Sequence, residues 1–200
     1  RVTKHQVYLM DDMRTLVAAG TQYAHINTDR AGRAVGDPSI VVTWRDKSNF
    51  GTDASFHQHV VHHVTHNITG VFYLMVWLAD DAGWLEEGIA HLAEMERFTN
   101  SANSCNIEGT EEDMSDGDWQ PVVRKMVAMG KTLPFAELMQ KRAHLLTEEE
   151  HYLAWSYTDY LYPRDPAKLR ELVIQLKQKK PQRDALREVY GLTTTGIDDL

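Results

Sequence analysis

One cysteine, six prolines and no long apolar run are what this 200-residue chain goes without. With Cys105 alone, no intrachain disulfide can form, so a disulfide-stapled scaffold is excluded; export is neither excluded nor required. Cys105 lies in a polar stretch and reads as a bystander. No window approaches the ~18 consecutive apolar residues of a membrane span. The longest apolar run, Val71 to Ala79, fits a buried helix. Basic side chains are also in deficit, with 21 Lys and Arg against 29 Asp and Glu and a formal charge of -8. Nucleic acid and anionic membranes favour basic surfaces, so neither is expected as a partner. The one basic run, Lys177-Gln178-Lys179-Lys180, reads as a solvated helix end. No signal peptide is visible, and the chain begins at Arg1 rather than methionine. That is compatible with an excised domain or a processed product, and it leaves compartment and oligomeric state open.

An apolar fraction of 42% is enough for a sizeable core, and the length suits a single domain over residues 1–200. The pattern predicts an α+β order. Residues 4–10 read as a strand, and Asp11 or Asp12 caps a helix carrying Met13, Leu16 and Val17. Asp29 to Pro38 reads as a loop or hairpin, and β-branched Ile40 to Trp44 as a second strand. Helix is expected from about Ala54 to Asn67, with Gly70 ending it or joining it to the apolar run. A second helix is expected from Trp84 to Phe98. Thr99 to Asp118 is an acidic stretch; the spacing of Asp113, Asp116 and Asp118 does not match a calcium loop. The remainder reads as helical: 121–129, 134–141, 148–162, 167–177 and 183–190, the last ended by Gly191.

The chemistry concentrates in two segments. Five of the ten histidines fall within His57-Gln58-His59-Val60-Val61-His62-His63-Val64-Thr65-His66. At about 100° per residue, His59, His62, His63 and His66 share an arc of about 100°, and His57 points elsewhere. His62 and His66, four apart, can chelate one metal ion from one helix face. A neighbouring helix then has to supply a further ligand. Trp84-Leu85-Glu86-Glu87-Gly88-Ile89-Ala90-His91 offers Glu86, Glu87 and His91. Glu87, His91 and Glu94 share a stripe, so His91 or Glu94 can support the ligands by hydrogen bonding. Gly88 reads as a site of close helix packing and Trp84 as core. His151, Tyr152 and Tyr157 read as an aromatic helix face packed in the core rather than as an oxyanion-stabilising group.

These two segments together resemble the gluzincin metallopeptidases, most closely the peptidase-MA-like domains of bacterial, often planctomycete, proteins. That group carries H-E-x-x-H followed by a W-L-x-E-G-x-A helix. The resemblance implies a small N-terminal sheet, an active-site helix pair and a helical C-terminal half that continues into one more helix. It implies zinc held by His62, His66 and Glu87, with Glu87 chosen over Glu86 because it precedes the glycine. It also implies a peptide or protein as substrate or ligand. One departure stands out: the family's catalytic glutamate is His63 here. Imidazole lacks the negative charge that retains a transferred proton beside a cation, so ordinary peptide hydrolysis is expected to be impaired or lost. Two alternatives stay open. His63 could act as base or as a further ligand in a working hydrolase. A histidine-rich site could instead hold copper, nickel or iron for redox chemistry.

Overall fold

The computed structural model describes residues 4–25, 32–34, 38–45, 52–98 and 119–198. The acidic stretch 99–118, with Cys105, Asp113, Asp116 and Asp118, lies outside them. The chain is α+β, with a three-stranded N-terminal sheet and a helical C-terminal half. The described residues group into two compact units. The first takes those up to 77 together with 93–98, and the second takes 78–92 and 119–198.

In the first unit, β1 (His5–Met10) leads through α1 (Met13–Ala19) and a π-helical turn (Gly20–Ala24) to β2 (Gly32–Ala34) and β3 (Ser39–Trp44). Asp12 caps α1 as expected, its carboxylate accepting from Thr15 N at 2.8 Å. The sheet order is β1-β3-β2, with β1 parallel to β3 and β2 antiparallel to it. A parallel pair needs a crossover, which α1 supplies. Leu16 of α1 and Val42 of β3 are buried together, with Tyr8, Met10, Ile40 and Trp44 packed around them. The short strand β2 falls inside the stretch read as loop or hairpin.

α2 (Asp53–Val71) packs on this sheet. Thr52 caps it by accepting from Ser55 N at 3.1 Å. The helix runs through Gly70 and stops at Phe72, which turns to extended backbone. Contrary to expectation, the apolar run beyond it is not a buried helix. Tyr73, Leu74 and Met75 are exposed, and Tyr73 sits at φ +63°, a left-handed conformation unfavourable for an aromatic residue. The run is apolar throughout but has no one-sided period, so nothing in it directs one helix face inward.

The second unit comprises the start of α3 (Gly83–Phe98) with α4 (Trp119–Ala128), α5 (Phe135–Leu138), α6 (Glu148–Leu161), α7 (Pro166–Lys177), α8 (Gln182–Tyr190) and α9 (Thr194–Asp198). Trp84 is core, as expected: its ring meets Phe135 edge-on at 4.9 Å and its Nε1 donates to Gln182 Oε1 at 2.8 Å. Gly88 is a contact glycine. A Cβ there would overlap Thr158 Oγ1 and the Ala154 carbonyl of α6. A capping box of Thr147 and Glu150 starts α6, and Asp165 with Pro166 starts α7. Leu169, Leu172, Val173 and Leu176 form the buried face of α7. Gly191, at φ +72°, ends α8. No helix among the described residues is long and apolar enough to cross a membrane.

Candidate metal centre

The helical reckoning for α2 holds. His59, His62, His63 and His66 are all buried, whereas His57 is exposed. They are not equivalent. His62 Nε2 and His66 Nε2 lie 2.9 Å apart. Two imidazole nitrogens bound at ~2.0–2.1 Å to one tetrahedral zinc would stand about 3.3 Å apart, so the pair is within a few tenths of an ångström of chelating spacing. On its other side, His62 Nδ1 lies 2.7 Å from Glu94 Oε1, from the end of α3 that belongs to the same unit. A carboxylate can only accept, so this contact favours the tautomer with the proton on Nδ1 and leaves Nε2 facing His66. A carboxylate beside one nitrogen of an imidazole whose other nitrogen lies near a second donor is an arrangement by which proteins orient a metal-binding histidine and raise its basicity. The donor set therefore fits a transition metal ion.

His59 serves the sheet instead. Its Nε2 is 3.0 Å from Thr43 Oγ1 of β3, and burial, with Arg33 adding to it, lowers its pKa to about 4. His63 packs edge-on against His59, ring centroids 4.3 Å apart. Its pKa is held well below the ordinary imidazole value, first by burial and then by His59, Arg33, His62 and His66. At neutral pH both are uncharged. Asn67 extends the polar face of α2, donating through Nδ2 to Ile40 O at 2.8 Å.

The second unit holds a buried group of its own. His91 Nε2 lies 2.9 Å from His151 Nδ1, which is 3.8 Å from Glu87 Oε2; all three residues are buried. His91 also packs against Trp119, the rings tilted with centroids 4.8 Å apart, so it both packs and pairs. Glu86 and Glu87 are neighbours with different duties. Glu86 accepts from Leu78 N at 2.7 Å, which makes it a structural carboxylate. Glu87 faces an imidazole instead. Of the three residues considered on α6, only His151 joins polar chemistry of this kind. Tyr152 packs against Trp119 at 4.6 Å and donates to Glu148. Tyr157 packs against Phe135 at 4.3 Å, and burial raises its phenol pKa.

The structure thus joins His62, His66 and Glu94 in one unit and Glu87, His91 and His151 in the other. Glu87, His91 and Glu94 lie on one stripe of α3, as their spacing predicts. The role of Glu94 against His62 was among the expectations. The pairing of His151 with His91 was not, because a single histidine in an aromatic helix carries no spacing signal. Comparison with protein-family models, curated proteins and solved structures finds no match for this chain.

Proposed function

We propose that this chain is a metallopeptidase-like domain of gluzincin type that binds zinc through His62, His66 and Glu87, with peptide hydrolysis impaired or lost at His63. The observation that carries the reading is the buried set Glu94, His62 and His66, in which a carboxylate oxygen lies 2.7 Å from one nitrogen of the His62 imidazole and a second imidazole nitrogen lies 2.9 Å from the other. Glu87 enters as the third ligand from the likeness of Trp84-Leu85-Glu86-Glu87-Gly88 to the gluzincin helix. That Glu86 is engaged with the Leu78 amide supports the choice. Bound zinc would supply Lewis-acid polarisation of water or a carbonyl.

The chain's own residues explain the expected impairment. A general base must hold a proton through the reaction. His63 is buried among other imidazoles, and its pKa is lowered chiefly by that burial. It therefore accepts a proton poorly. A glutamate at this position would retain the proton beside the cation far better.

Metal content tests the reading. Protein purified without a metal-affinity column is analysed by elemental mass spectrometry beside His62→Ala. Stoichiometric zinc in the parent and none in the variant is the expected result. Copper, nickel or iron in place of zinc would redirect the reading to redox chemistry, and no metal after reconstitution would end it. For the catalytic half, His63→Glu is expected to gain zinc-dependent peptidase activity over the parent. A parent already active, and silenced by His63→Ala, would overturn the claim of impairment.

A further inference from the structure

Two imidazoles and a carboxylate converge inside the second unit, apart from the histidines of α2. Glu87 and His91 stand one turn apart on α3, and His151 meets them from α6, which packs against α3 at Gly88. His91 Nε2 lies 2.9 Å from His151 Nδ1, and that Nδ1 lies 3.8 Å from Glu87 Oε2. A Glu87 oxygen and a His91 ring nitrogen lie within 4.8 Å of each other. Donor atoms held at ~2.0–2.2 Å by one tetrahedral ion stand about 3.3–3.5 Å apart. The first two spacings are therefore within about half an ångström of a shared ion. The surroundings shield the three donors. His91 and His151 have no exposed surface, and Glu87 is 2% exposed. Trp119 packs on His91 and in turn against Tyr152 and Trp155. Such an apolar shell controls the access of water to metal ligands.

We propose that Glu87, His91 and His151 bind a divalent transition-metal ion within the second unit, at a site that needs neither His62 nor His66. Two imidazoles and one carboxylate suit zinc, iron or cobalt, whereas magnesium and calcium favour all-oxygen sites. Glu87 brings the negative charge, and the two rings bring the nitrogen donors. A contact between two neutral imidazoles carries one hydrogen. Binding moves that hydrogen to the donating ring's other nitrogen and leaves both inner nitrogens to the ion. The expected affinity is modest, a Kd on the order of 10 µM. The ion then leaves during purification, and the site is read by titration. Because the zinc reading above also draws on Glu87, the test removes His62 and His66, so that either idea can fail without the other.

Cobalt(II) is titrated into metal-free chain carrying His62→Ala and His66→Ala. Binding is followed by the visible absorption of cobalt and by nitrogen-15 NMR of the Trp119 indole N–H, assigned with Trp119→Phe. The expected result is one cobalt per chain at a Kd on the order of 10 µM, with the Trp119 signal broadened or shifted more than the other indoles. Adding His91→Gln, His151→Gln or Glu87→Gln, each of which keeps a polar side chain in place, should weaken binding more than tenfold. The other indole signals report whether each variant is folded. No saturable binding below about 1 mM would overturn the proposal and leave the zinc reading standing. So would binding that His91→Gln and His151→Gln leave unchanged. A parent chain that takes up one ion in all, and keeps it without His62 and His66, would support this site and overturn the zinc reading instead.

Discussion

Helices α2 and α7 bury one face each at the same helical period and fill it with opposite chemistry. On α7 the buried positions are mainly Leu169, Leu172, Val173 and Leu176. On α2 they include His59, His62, His63, His66 and Asn67, and Phe56 is the one large apolar residue. Each buried aliphatic side chain of α7 contributes about 1.5–3 kcal/mol. Each buried imidazole of α2 costs free energy unless a partner answers it. Thr43 and Glu94 are such partners for His59 and His62, the Ile40 carbonyl answers Asn67, and together they hold the polar face in one arrangement. The contrast separates two uses of one periodicity. α7 is built to hold the fold together, and α2 gives up stability to keep ionisable groups in fixed positions.

The sharpest way to break the comparison is to shorten or grease one residue on each face. Leu172→Ala, at a fully buried position, should cost about 3–4 kcal/mol in denaturant unfolding. His63→Leu in metal-free protein should cost less than about 1 kcal/mol or stabilise, because it replaces a buried polar ring by a hydrocarbon. Equal losses at the two sites would mean the faces are energetically alike.

Acid should separate the two faces next. Unfolded histidine titrates near 6.5, whereas folded His59 titrates at about 4 and folded His63 well below its ordinary value. Between those limits the unfolded chain binds more protons, so acid favours unfolding. Stability is then full above pH 6.5 and falls as pH drops toward about 4, by on the order of 3 kcal/mol for His59 alone. His63 adds to the fall in the same direction. Urea midpoints of metal-free protein across that range would show it, and His59→Gln should flatten the slope. A parent midpoint independent of pH would refute buried neutral imidazoles.

A smaller effect is expected where α3 supports α2. Glu94→Gln keeps the shape but not the charge beside His62, and metal affinity measured by competition with a chelator should fall about 10–100-fold. Unchanged affinity would remove Glu94 from the site. Smallest of all, Thr147→Ala deletes the cap of α6 and should lower stability by about 1 kcal/mol without touching metal content.

Much of this was legible in residue spacing. The shared face of α2 follows from 100° per residue, and the stripe of Glu87, His91 and Glu94 from i, i+4 and i+7. The caps at Asp12 and Gly191 were legible because their chemistry is local. Other features depend on partners far along the chain. β2 is three residues whose strand character comes from pairing with β3. The bend at Tyr73 was hidden because an unbroken apolar run does not declare which side faces water. His151 meets His91 from 60 residues away.

Gly88 gives up helix propensity, about 1 kcal/mol relative to alanine, and with no side chain there α6 lies directly against α3. The contact works as a notch and a tooth. Because Thr158 and Ala154 fit only where the Cβ is missing, α6 cannot slide by a residue along α3 without collision. His151 is therefore indexed to Glu87 by the seat that Gly88 offers to the Ala154 carbonyl and the Thr158 side chain. Redesign elsewhere on α6 should leave their spacing intact, and a well-meant Gly88→Ala made to strengthen the helix should be the change that throws it out of register.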